Sequence, residues 1–220
     1  MERIITVRGV GTARTKPDLV ELSLELNAKD MDYNKAVRLA DEKISELTDA
    51  LVGIGFGEDA LKTLNFNVST SYEGVQDEKG VYRNVFDGYN VWHSLQLTFD
   101  FTAERLAETL SAIAGCSARP QLNISFTVKD PSGVKEALLA SAAENAKKKA
   151  EILCAASGAR LGRLMNIDYN WGEIGFRSRT RYGFAQDEAV AAKSAAFNAA
   201  FVPDDITSSD SAAFTWELAD

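Results

Sequence analysis

The stretch Val134–Gly162 reads VKEALLASAAENAKKKAEILCAASGARLG. Leu139, Ala143, Ala146, Ala150 and Leu153 recur at spacings of four and three, which puts them on one face of a helix. Three of the five are alanines, so whatever packs there can approach closely. Ser157-Gly158 stops the helix, because glycine adopts the left-handed backbone that closes a helix C-terminus. Asp130-Pro131 starts it, with a capping carboxylate and a proline at the first helical position. Such a helix is architectural: its alanines either seat it on the chain's own sheet or face another subunit.

Strand signals flank this helix. Leu122, Ile124, Phe126 and Val128 alternate before it; Met165, Ile167, Tyr169 and Trp171 alternate after it. The chain closes on Ala212, Phe214, Trp216 and Leu218, a last strand beyond Pro203. Near the start, Ile4 to Gly11 reads as a short strand, with a turn at Lys16-Pro17-Asp18. Val20, Leu22, Leu24 and Leu26 then alternate with polar residues, one face buried and one wet. Asp30 or Asp32 can cap the next element, a helix of about six turns with Tyr33, Val37, Ala40, Ile44, Leu47, Leu51 and Ile54 in a stripe.

Leu64, Phe66, Val68, Thr70 and Tyr72 form another alternating strand, and the polar run 76–80 predicts a hairpin. The strand returning from near Val81 is expected to bulge at Asp87-Gly88, after which Tyr89, Val91, His93, Leu95, Leu97, Phe99 and Phe101 share a face. A short helix over Thr102 to Ala114 follows. Residues 172–201 mix aromatic, basic, alanine-rich and acidic pieces and give no clear element. Seven or eight one-sided strands with three helices make an α+β fold, an antiparallel or mixed sheet with long helices on one face.

The 220 residues carry a net charge of −8, which opposes a general nucleic-acid binder or a protein of anionic membrane surfaces. No run reaches the roughly 20 apolar residues of a membrane helix. The chain opens Met1-Glu2-Arg3 and enters a strand pattern at Ile4, which predicts a cytoplasmic protein without a leader. The alternative is periplasmic or extracellular, had an export signal been removed. Cys116 and Cys154 read as two buried reduced thiols; a disulfide would need a closeness that spacing cannot show.

Candidate chemistry is sparse. His93, the single histidine, sits between Val91 and Leu95 on an apolar face and reads as a core or interface residue. It is also the only imidazole a serine or cysteine triad could recruit. Gly9-Val10-Gly11 and Gly53-Ile54-Gly55-Phe56-Gly57 lack the setting of a nucleotide loop and read as structural turns. Lys147, Lys148 and Lys149 spread around a helix rather than forming a patch. If extended, Phe176 to Tyr182 puts Arg177, Arg179 and Arg181 on one face, with Phe176, Ser178, Thr180 and Tyr182 on the other. Arg177, Arg179, Arg181 and Tyr182 are therefore the candidate ligand or subunit contact, with Asp187, Glu188, Asp204, Asp205 and Asp210 as acidic partners nearby. Asn65, Asn67, Ser69 and Ser71, with Asn123, Ser125 and Thr127, offer neutral polar strand faces that read first as solvent-exposed, with a glycan site or an oligomer lumen as the alternative if the strands are neighbours.

Gly9-x-Gly11, Pro17-Asp18 before an alternating strand, and a Gly88-Tyr89 entry into the long strand resemble SIMPL-domain proteins. So do Phe126-x-Val128-x-Asp130 before the alanine ladder, Ser157-Gly158-x-x-Leu161-Gly162 after it, and the closing Phe214-x-Trp216-Glu217-Leu218. The resemblance implies an α+β fold, ring-like or channel-like homo-oligomers, and kinship with bacterial periplasmic immunogens and oxidative-stress-defence proteins. It implies no established reaction, catalytic residue or cofactor. The sequence therefore predicts one SIMPL-like domain over residues 1–220, with 1–87 and 88–220 as an alternative division. It reads as a non-enzymatic, self-associating protein with no nucleic-acid partner, no membrane insertion and no cofactor. A small-molecule, glycan or anion-binding module is the alternative.

Overall fold

Alternation and periodicity resolve, in a computed structural model, into eight strands and three helices among the described residues. The structure describes residues 3–76, 80, 82–169, 172, 174–184 and 201–219. In chain order these are β1 (Ile4–Thr15), β2 (Leu19–Asp30), α1 (Tyr33–Val52), β3 (Leu61–Gln76), β4 (Tyr82–Asp100) and α2 (Ala103–Gly115). Then come β5 (Gln121–Thr127), α3 (Ser132–Ala156), β6 (Arg160–Asp168), β7 (Arg177–Phe184) and β8 (Ile206–Ala219). The class is α+β, as the sequence predicts. Two compact units form, one from Met1–Pro17, Thr127–Arg179 and Pro203–Asp220, the other from Asp18–Phe126 and Thr180–Val202.

The first unit holds a three-stranded sheet in the order β1-β8-β6, antiparallel throughout, with α3 against β1 and β8. Gly9 and Gly11 lie within β1, not in turns, and both are buried. A Cβ on Gly9 would stand 2.0 Å from the Ala142 carbonyl oxygen, and one on Gly11 would stand 1.9 Å from that of Leu138. Helix backbone thus touches strand backbone, which only glycine permits. The buried stripe of α3 is Leu138, Ala142, Ala146, Ala150 and Cys154, one ridge of fourfold spacing. The expected stripe shares only Ala146 and Ala150 with it; Leu139 and Leu153 are exposed. A ridge of that spacing drifts around the helix axis, so a helix lying obliquely on a twisted sheet buries different end residues than a straight stripe would.

Side chains of α3 also finish the outer edge of β1. Asn145 Oδ1 accepts from the Val10 N–H at 3.0 Å, Ser141 Oγ accepts from that of Thr12 at 3.3 Å, and Lys149 Nζ donates to the Arg8 carbonyl at 3.2 Å. The helix ends as expected, on Gly158 at φ 72° with the Ala159 N–H bonded to the Cys154 carbonyl. At its start Asp130 accepts from Ser132 N at 2.9 Å, so the carboxylate serves a helix that begins one residue later than predicted.

The second unit holds the five-stranded sheet, in the order β3-β4-β2-β5-β7. Val20, Leu22, Leu24 and Leu26 of β2 and Leu95, Leu97 and Phe99 of β4 pack with Leu47 and Leu51 of α1. Leu106, Leu110 and Ile113 of α2 complete that face, and each buried leucine contributes roughly 1.5–3 kcal/mol. Asp32 caps α1 by accepting from Lys35 N, and Thr102 caps α2 by accepting from Arg105 N. β3 and β4 pair from Leu61↔Leu97 to Gln76↔Tyr82, with the extra residue Asp87 forming the predicted bulge beside Gly88. Gly88 has φ 109°, and a Cβ there would stand 2.7 Å from the Asp30 carbonyl oxygen. Positions 77–79 and 81 of the expected turn, Trp171, and residues 185–200 lie outside the described residues.

One further expectation shifts. Met165 and Ile167 of β6 are exposed; only the start of this edge strand reaches the cluster under α3, where Leu161 packs with Ala146 and Ala150. No helix among the described residues is long and apolar enough to cross a membrane. The close contact of α3 with β1 makes a direct prediction for chemical denaturation. Gly9→Ala and Gly11→Ala should each cost about 1–3 kcal/mol or more, while Gly74→Ala, with nothing within 4 Å, should stay within about 0.5 kcal/mol of the parent.

Candidate functional site

Alternation makes the arginine-aromatic segment a strand, and β7 places its two faces as their chemistry requires. Arg177, Arg179 and Arg181 are exposed, Phe176 and Ser178 are buried, and Thr180 and Tyr182 are half-buried. Two hydrogen bonds tie the start of β7 down. Thr127 Oγ1 donates to the Phe176 carbonyl, and Ser178 Oγ donates to the Asp204 carbonyl at 2.7 Å. Tyr182 belongs to the core: its ring meets Phe126 at 6.2 Å and Phe201 at 5.3 Å, both edge to face.

Of the three arginines, Arg179 is the one in the described lining of a cavity of about 590 Å³, together with Arg14, Pro203, Asp204, Asp205 and Thr207. Arg14 stands opposite Thr207 in the β1–β8 register, so the strand pair supplies one wall. Sequence reasoning passed over Arg14, because its partners arrive from the far end of the chain. Of the acidic residues named as partners, Asp204 and Asp205 line the cavity. Asp210 instead accepts from the Tyr169 hydroxyl at 2.7 Å, and that bond raises the phenol above its ordinary pKa. Asp187 and Glu188 lie outside the described residues.

His93 is 7% exposed. Its Nε2 lies 2.9 Å from Thr63 Oγ1, its ring meets Phe66 edge-on at 5.1 Å, and its buried Nδ1 has no partner among the described residues. A catalytic imidazole needs a second acceptor to orient it and access to substrate, and His93 has neither. Burial lowers its pKa, and the Asp41 and Glu25 carboxylates offset only part of that shift. The polar faces of β3 and β5 are separated by β4 and β2, three strand spacings or about 14 Å, so they do not converge. Ser94 and Ser125 on this face donate to Glu25 and Glu21. Cys116 and Cys154 are both free, and among the described residues no group of three or more His, Cys, Asp or Glu side chains is placed to hold a metal ion.

A family model, SIMPL, described as a protein of unknown function (DUF541), matches residues 5–216. The chain belongs to the SIMPL family. It is 24% identical over 163 residues to the 26 kDa periplasmic immunogenic protein of Brucella melitensis, covering 74% of this chain and 65% of that protein. It is 22% identical over 170 residues to the uncharacterized protein YggE of Escherichia coli, covering 76% and 65%. The match therefore spans just under two thirds of the length of these relatives. The Brucella relatives, named periplasmic, overturn the cytoplasmic expectation drawn from the opening residues. A leader is cut away on export and takes no part in the folded domain, so a strand pattern near the start carries no address.

The lowered pKa of His93 fixes the sign of a pH effect. As pH falls through the imidazole's unfolded value of about 6.5, the unfolded chain takes up a proton that the folded chain refuses, so stability falls. The loss continues until the lower folded value is passed. Denaturant unfolding between about pH 7.5 and 5.5 should show this slope in the parent and a flatter one in His93→Gln. Equal slopes would mean that His93 is not the group responsible.

Proposed function

We propose that this chain is a periplasmic SIMPL-domain protein whose role is to self-associate through the outer edge of β3, without a reaction of its own. The observation that carries this is an unguarded strand. From Leu64 to Tyr72 the strand reads LNFNVSTSY, uncharged and free of proline, and among the described residues β3 pairs with β4 alone. Leu64 is 61% exposed and Tyr72 59%. From Asn65 to Ser71 the pairing with β4 runs in unbroken register, so the outer edge keeps a regular row of backbone donors and acceptors.

The other edges carry devices against pairing. α3 side chains occupy the β1 edge, Arg177, Arg179 and Arg181 punctuate β7, and Arg160, Arg163 and Asp168 punctuate β6. Natural sheets blunt exposed edges with such coverings and charges, so the edge left without one is the edge expected to pair. Exposed apolar side chains on the same ribbon, Val75, Tyr82 and Val85 among them, add surface that a monomer would otherwise leave wet. A second copy presents an identical uncharged edge, which favours an isologous pair as the unit of assembly. The periplasmic setting rests on the named relatives, and a stress-protective duty in the envelope rests on the family resemblance.

Native mass spectrometry and light scattering across a dilution series test this reading. The parent chain should be oligomeric at tens of micromolar, and the double variant Leu64→Lys, Thr70→Lys should be monomeric while keeping the parent's secondary structure and a cooperative, though lower, thermal transition. A strictly monomeric parent would overturn it, as would a variant that assembles like the parent.

A further inference from the structure

The cavity at Arg14 and Arg179 owes nothing to the β3 edge, and self-association does not use it. Among the described residues its lining carries two guanidinium groups and two carboxylates, with Thr207 of β8 and with Pro203 as an apolar wall. Among the described residues, Arg14, Arg179 and Asp205 form no ion pair within 4.0 Å, although charges of both signs line the same concavity. Opposite charges that share a cavity without closing on one another leave room for a guest that satisfies both. The frame is fixed rather than loose. Arg14 is held by the β1–β8 ladder, and the segment carrying Asp204 and Asp205 is pinned by the Ser178 Oγ bond to the Asp204 carbonyl.

The charge balance selects the guest. A simple anion would gain the arginines but face the aspartates, and a simple cation would meet the reverse. We propose that this cavity binds a small zwitterion, a free amino acid or short peptide. Its carboxylate is taken by the Arg14 and Arg179 guanidinium groups and its ammonium by Asp205. Arginine suits the first task because its planar fork accepts a carboxylate in two parallel hydrogen bonds. The volume of about 590 Å³ lies within the roughly 300–1,000 Å³ of small-molecule sites, so a dipeptide is accommodated. This assigns a role to the arginine segment that differs residue by residue: Arg179 faces ligand, while Arg177 and Arg181 are outside the described lining.

Calorimetric titration of the full chain with alanyl-alanine, N-acetylalanine and alaninamide separates the charges. The dipeptide should bind, and each single-charge probe should bind at least about tenfold more weakly. Arg14→Ala, Arg179→Ala and Asp205→Asn should each weaken the dipeptide about tenfold or more, with Arg181→Ala as the silent control. All four positions are exposed, so thermal midpoints should hold and report that folding is intact. No heat with the dipeptide at millimolar concentration would overturn the proposal. Equal binding of N-acetylalanine would make the cavity a plain anion site and overturn it too. Because none of these variants touches β3, the oligomeric state measured alongside keeps this result separate from the assembly reading.

Discussion

Contact between the backbone of α3 and the backbone of β1 is the constraint around which the first unit is built. It needs three things at once: no side chain at Gly9 or Gly11, nothing larger than alanine at positions 142, 146 and 150, and polar side chains at 141 and 145 in reach of the strand edge. Each is of little use without the others. Move the helix outward by one methyl group and the Val10 and Thr12 N–H groups lose Asn145 and Ser141 as well as the packing. Both N–H groups lie at an exposed edge, so water replaces the lost partners and each bond is worth about 0.5–1.5 kcal/mol, a smaller loss than the packing itself. The alanine ladder and the glycine pair, far apart in sequence, are therefore one interaction.

That interaction also divides the edges of the molecule. An antiparallel sheet always ends in two strands with spare hydrogen-bonding groups, and the chain treats its ends unequally. α3 consumes those groups on β1. Arginines on β7 make edge pairing there a matter of bringing like charges together. β3 has neither protection over its central residues, while its inner side is bound tightly to β4 through regular pairing, the Thr63–His93 hydrogen bond and the Phe66–His93 ring contact. The arginine segment that looked most like chemistry in the sequence thus has a double duty, guarding an edge and lending Arg179 to a cavity.

Much of this was legible in the residues. Period-two alternation placed β2, β5 and β8, because each has one face against a core and one against water. Asp32, Thr102 and Gly158 ended their helices as their side chains and backbone freedom demand. The Asp87-Gly88 bulge followed from an extra polar residue beside a glycine. What stayed hidden depends on long-range geometry. The rotation of the α3 stripe depends on how the helix crosses a twisted sheet. The meaning of Gly9 and Gly11 depends on a helix that arrives more than a hundred residues later. Arg14 meets Thr207 only through the β1–β8 register, and no local signal near either residue announces it. β3 was recognised as a strand, yet its position at the edge is set by strand order, which alternation does not encode.

Edge position also decides how β3 is stabilised. Along its length only Leu61, Val68 and Ser71 are even half-buried, so hydrophobic burial contributes little to holding it. Its order rests on the ladder to β4 and on the cluster around His93, where a buried ring nitrogen has no partner among the described residues. Segments with few buried contacts and many exposed backbone hydrogen bonds open at low free-energy cost. A second strand laid along the outer edge would hydrogen-bond the groups that face water and cover Leu64 and Tyr72. Under the proposed assembly, then, folding of the β3–β4 ribbon and association of the chains are coupled. The ribbon gains its full stability from a neighbour, and its acid sensitivity through His93 becomes a sensitivity of the assembly as well.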